Sequence, residues 1–148
     1  MRSRVLLLTG TCGSGKTTVS TLLAERDDRA RICEDDLWLD RCGHDRGALE
    51  SGRKVVIDAT VHQAPPHAYE EYMAEFARHR IRWTLCALYP RVDVAIDRDA
   101  TRECWSVGAA GVREPHDKFS GAVFSRACFV DNSDETSEDT VRRLLDDC

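Results

Sequence analysis

The chain has 148 residues, 42% of them hydrophobic and 32% charged, with a formal net charge of −5. That composition suits one domain around one hydrophobic core and excludes a disordered chain. No apolar run approaches the roughly 20 residues that span a bilayer, and the acidic balance, with no long basic block, argues against a nucleic-acid partner.

The first predicted element is a strand over Arg4–Thr9, carried by Val5-Leu6-Leu7-Leu8. Four apolar residues after the basic Met1–Arg4 are too few for a signal-peptide core, so a cytoplasmic location is expected. Gly10-Thr11-Cys12-Gly13-Ser14-Gly15-Lys16-Thr17 follows at once and fits G-x-x-x-x-G-K-[ST]. Val19, Leu22 and Leu23 then give a helical pattern from Thr18 to about Arg26. A glycine loop joining a strand end to a helix start gathers backbone N–H groups at the positive end of a helix dipole. A triphosphate fits that point, and Gly10 through Thr18 are the residues expected to bind it. Lys16 would serve the β- and γ-phosphates, and the Thr17 hydroxyl would be a Mg²⁺ ligand. The helix N-terminus could also lower the pKa of the Cys12 thiol.

Ala30–Cys33 reads as a second short strand, followed by Glu34-Asp35-Asp36. An acid here could align an attacking hydroxyl; Asp35 is the first choice and Asp36 the second, set against simple capping of the next helix. A partly helical segment through Trp38 and Leu39 is interrupted by Gly43 and Gly47. Lys54–Asp58 is a third strand. Asp58, at its end, occupies the position of an acid that holds Mg²⁺ directly or through water, unless it is only a turn acid. His62, four residues on, is a candidate for the acceptor side of a cleft, against the blander reading of a solvated loop histidine.

Pro65-Pro66 opens a helix with Tyr69, Tyr72, Met73 and Phe76 as its apolar stripe, read as core. Arg82–Tyr89 is a fourth strand and Val92–Glu103 a helix. Arg91, Arg98 and Arg102, spaced by seven and four, would share one face of it. Arg98 and Arg102 are candidate phosphate clamps, with surface ion pairs as the rival. Trp105–Glu114 reads as a loop, giving a short lid around 103–115, and His116–Arg126 is ambiguous. Ala127–Val130 is a fifth strand, and Ser137–Cys148 a final helix with Val141, Leu144 and Leu145 along one side.

Five apolar strands alternating with helices, without a hairpin signal, give an α/β fold. The expectation is a P-loop NTPase three-layer sandwich, a five-stranded parallel sheet with helices on both faces, filling residues 1–148. Ligands in such sheets bind at the carboxyl ends of strands, where the glycine loop, Asp35, Asp58 and the loop after Val130 all fall. The seven cysteines form no C-x-x-C pair and read as reduced thiols.

At these residues the chain resembles small P-loop kinases of the chloramphenicol phosphotransferase-like, gluconate kinase-like and zeta-toxin-like group. The matching pieces are Gly10–Thr18, Glu34-Asp35-Asp36-Leu37, Val55–Thr60, Leu88-Tyr89-Pro90 leading into Arg98 and Arg102, and Val130–Ser133. The resemblance implies transfer of the γ-phosphate of ATP, with Mg²⁺, to a hydroxyl of a small molecule. It also implies that Asp35 faces the acceptor, that Arg98 and Arg102 flank a lid, and that Asp131–Ser133 sits near the adenine. The segment Glu103-Cys104-Trp105 departs from the arginine- and glycine-rich lid of that group. The alternatives are a nucleotide or polynucleotide 5′-hydroxyl kinase, or an ATP-binding switch without transfer. Oligomeric state is left open.

Overall fold

The computed structural model describes residues 4–33, 51–61, 67–103, 105–119 and 129–147. Five strands form one all-parallel sheet: β1 (Val5–Gly10), β2 (Ala30–Cys33), β3 (Val55–Asp58), β4 (Trp83–Leu88) and β5 (Phe129–Val130), in the order β2-β3-β1-β4-β5. Every residue of β1 is buried, as a central strand covered on both faces requires. Its register sets Leu8 beside Asp58 at the end of β3 and beside Cys86 of β4, and β1 and β4 run on together to Gly10 and Leu88.

Because side chains alternate along a strand, β1 feeds two cores. Val5 and Leu7 face Ile57, Leu85 and Phe76, the last from helix α2 (His67–Arg78). Leu6 and Leu8 face Val19 and Leu23 of helix α1 (Lys16–Arg26) on the other side. Helix α3 (Val92–Ala100) follows β4, helix α4 (Gly108–Phe119) packs beside it, and helix α5 (Ser137–Asp147) adds Val141 and Leu144 to the α1 side. Helices thus cover both faces, as expected of the three-layer sandwich. Each buried leucine contributes about 1.5–3 kcal/mol by leaving water. Tyr69, Tyr72 and Met73 pack against the first core, in line with reading that stripe as structural. Among the described residues, no helix is long and apolar enough to cross a membrane.

Three helical segments differ from the sequence reading. Helix α1 begins at Lys16, not Thr18, so the last residues of the glycine motif are its first turn. Helix α3 ends at Ala100, so Arg91 and Arg102 flank it and do not extend one face with Arg98. The segment read as a loop over Trp105–Glu114 is largely helix: α4 starts at Gly108 and runs through Pro115. Its glycines and proline disfavour a helix locally, but tertiary contacts override them. Phe119 is fully buried and stacks on Tyr89, whose hydroxyl donates to the His116 carbonyl at 3.1 Å. The His116 ring, stacked on Tyr89, lies 2.8 Å from the Pro90 carbonyl oxygen through Nε2.

Candidate active site

The glycine loop leaves the carboxyl end of the central strand and turns at once. The Ser14 amide donates to the Thr11 carbonyl at 3.2 Å, closing the turn. Gly13 has φ +74, and a Cβ there would run into the Ala95 carbonyl oxygen of α3. Only glycine meets both demands, the left-handed backbone and the close approach of a neighbouring helix. Gly15, at φ 90, is the N-cap of α1 and provides no side-chain cap. No acidic residue lies in the first turn of α1. The negative charge that a helix N-terminus favours is therefore not supplied by the helix's own side chains.

The Lys16 ammonium reaches back along the loop, donating to the Gly10 carbonyl at 2.6 Å and to the Thr11 carbonyl at 3.4 Å. These two contacts fold the side chain back over the loop. Thr17 and Thr18 are exposed on the first turn, and Cys12 is half-buried. An exposed threonine hydroxyl beside this nest fits Mg²⁺, which takes one or two protein oxygens and completes its shell with phosphate and water.

The loop is clasped from two other elements. Asn132, in the turn after β5, donates its side-chain amide to the Ser14 carbonyl at 3.0 Å in a buried contact. The Asn132 carbonyl in turn accepts from Arg98 Nη2 at 2.8 Å. Arg98, expected as a clamp on phosphates, is thus spent on a backbone oxygen one residue-contact away from the loop. Nearby, the Ser133 hydroxyl accepts from the Arg91 amide at 2.7 Å, and the Arg91 guanidinium pairs with both carboxylate oxygens of Asp134 at 2.9 Å. Three buried polar atoms of this clasp, Thr11 Oγ1, Ser14 Oγ and Asn132 Oδ1, have no hydrogen-bond partner among the described residues. Buried polar atoms left so are costly and mark places where a bound polar group would be accommodated.

Asp58 ends β3 beside the loop and is buried. Its Oδ2 accepts from Arg31 Nη2 at 3.1 Å and lies 3.1 Å from Ser20 Oγ. Arg31 Nε donates to the same Ser20 hydroxyl at 2.8 Å. The single Ser20 proton can go to Asp58 or to the Thr17 carbonyl at 3.0 Å, but not to both. Arg31, Asp58 and Ser20 thus form a closed polar triad under the first turns of α1.

Arg102 lies past the end of α3, where its Nη1 donates to Asp99 Oδ1 at 3.3 Å. Asp99 is almost fully buried. Its Oδ2 accepts from the Ser106 hydroxyl, from the Val107 amide at 3.0 Å and from the Gly108 amide at 3.2 Å. The Ser106 hydroxyl, helped by Arg102 and the two amides, outweighs burial and holds this carboxyl below the ordinary range. Asp99 therefore joins the end of α3 to the start of α4 and holds Arg102 between them. Asp35, Asp36 and His62, the expected acceptor-side residues, lie outside the described residues.

Solved structures share this fold. A gluconokinase from Sinorhizobium meliloti 1021 superposes with a TM-score of 0.67 at 16% identity, over 96% of this chain and 89% of that one. The fold is that of the small P-loop kinases. A tunicamycin resistance protein from Deinococcus radiodurans gives 0.69 at 13% identity, over 99% and 95% of the two chains. A deoxyadenosine kinase from M. mycoides, with bound dATP, gives 0.64 at 13% identity, over 97% and 98%. No family model matches the chain, and no curated protein matches it by sequence.

Three residues of the site escaped sequence reasoning. Arg31 sits inside a strand, where a charge normally signals a solvent-facing position. Asp99 looks like one member of a surface ion-pair series. Asn132 fell within the stretch expected near the adenine, but not as a partner of the glycine loop. A strand arginine two residues before the strand end, facing the same side as a strand-end acid two strand positions on, is the one signal that could have been used.

Proposed function

We propose that the chain is an ATP-dependent phosphotransferase that moves the γ-phosphate to a hydroxyl of a small molecule. The observation that carries this reading is the glycine loop: an N-terminal helix turn without an internal anion, with Lys16 folded into it, at the end of the central strand. The kinase fold and the dATP-bound neighbour support it. Phosphoryl transfer asks mainly for positioning and charge neutralisation. Lys16 would release its loop carbonyls and take the β- and γ-phosphate oxygens. Gly10 to Thr18 would surround the triphosphate with amides, and Thr17 would hold Mg²⁺, which would neutralise charge developing on the phosphates. Arg98 and Arg102 would exchange a carbonyl and a carboxylate for phosphate oxygens as the segment around 103–115 closes. Asp35 would align the acceptor hydroxyl, with Asp36 and His62 on the acceptor side.

The test is ADP release in the presence of ATP, Mg²⁺ and a panel of hydroxyl compounds. Release that depends on one class of acceptor supports the proposal. Tight nucleotide binding with no acceptor effect would favour a non-catalytic switch. Asp35→Asn should abolish transfer while ATP affinity stays within about threefold of the parent; unchanged turnover removes Asp35 from the mechanism.

A further inference from the structure

We propose that Arg31 is a built-in counter-ion for Asp58, so that the divalent cation arriving with the nucleotide is held without ligation by that carboxylate. The inference rests on the phosphotransferase reading and concerns how its metal is held. Asp58 stands where the metal-side acid is expected, yet its Oδ2 faces Arg31 Nη2 and the Ser20 hydroxyl, each at 3.1 Å. The pair is shielded, with Asp58 5% and the Arg31 side chain 25% exposed, so solvent screens it far less than a surface pair. Ser20 ties it in place, its hydroxyl oxygen accepting a hydrogen bond from Arg31 Nε at 2.8 Å. Ser20 lies one helical turn, about 5 Å, along α1 from Thr17, so the Arg31 charge is close to the expected metal side.

Two consequences follow from charge alone. The carboxylate is neutralised before any metal arrives, so it adds little attraction for a dication. A guanidinium near that position also opposes a dication directly. What governs metal affinity is then the sum of the two charges at positions 31 and 58, not the carboxylate by itself.

The experiment measures Mn²⁺ affinity in the presence of a non-hydrolysable ATP analogue, by the electron-spin resonance signal of free Mn²⁺, with nucleotide affinity titrated separately. Arg31→Gln leaves an unpaired acid and should tighten Mn²⁺ about tenfold. Asp58→Asn leaves an unpaired cation and should weaken it about tenfold. The double variant Arg31→Gln/Asp58→Asn restores a neutral pair of similar shape, which proteins tolerate well even where the single changes unfold them. It should bind Mn²⁺ within about threefold of the parent. A double variant as weak as Asp58→Asn alone, or weaker, would mean that Asp58 ligates the metal and would overturn the inference. Arg31→Lys keeps the charge and should match the parent; tightening in that variant would equally count against a role for charge. Absence of nucleotide binding by the parent protein would bring down the phosphotransferase reading as well, whereas good nucleotide binding with Asp58-dependent, Arg31-independent metal affinity would remove this inference alone.

Discussion

Single residues at the loop have roles that differ in kind. Gly13 is a steric necessity, because any side chain there meets the backbone of α3. Gly13→Ala should therefore lower ATP affinity at least tenfold, read by calorimetric titration, through displacement of the loop from Ala95. Lys16 contributes charge. Lys16→Ala should weaken ATP by a factor of about a hundred and leave adenosine affinity within about twofold; an equal loss of both would take the ammonium away from the phosphates. Asp99 acts as an anchor. Asp99→Ala removes the acceptor that serves the Val107 and Gly108 amides ahead of α4 and should cost about 1–2 kcal/mol in urea unfolding, the range of lost helix caps.

Among the secondary-structure elements, the strands were the most legible part of the molecule. Ala30–Cys33 has the bounds that the sequence predicts, and β1, β3 and β4 differ by one residue at one end or both, because short apolar runs between turn signals have few alternative uses. Helix α4 was not legible. Gly108, Gly111 and Pro115 all argue against a helix locally, and what stabilises it lies elsewhere in the chain: the Asp99 carboxylate before its first turn, and Tyr89 against its last. The same non-locality hid the partners of Asp58 and Arg98. Sequence located both residues near the cleft but could not show that Arg31 and Asn132 would reach them first. The clasp after β5 is the element-scale prediction. Asn132→Ala removes the only side-chain bond described between that turn and the Ser14 carbonyl. It should raise the KM for ATP about tenfold with little change in kcat; a fall in kcat alone would place Asn132 in the transfer step.

For the whole molecule, carboxylates set the response to acid. Asp99, Asp27 and Asp131 each titrate below their ordinary value. Ser106 and Arg102 hold the first down. For Asp27, burial opposes the shift, but Lys54 and Arg29 outweigh it, and Ser133 accounts for Asp131. A depressed folded pKa favours the native state fully above the unfolded value near 3.9, and that stabilisation is lost as pH falls through the folded value. The urea midpoint should thus stay flat from pH 7 to about 5 and fall below about 4. Asp99→Asn should flatten part of that acid limb, and an unaltered limb would show that this carboxyl is not depressed.

The bond between Asn132 and Ser14 joins residues 118 positions apart, and this bears on the order in which the protein is made. The glycine loop leaves the ribosome well before its clasp. A nascent chain stopped before residue 132 could form β1 and α1 yet would hold the loop unclasped. Full nucleotide affinity should then be reached only after the β5 turn has emerged, which ties capture to completion of the sheet rather than to its first strand.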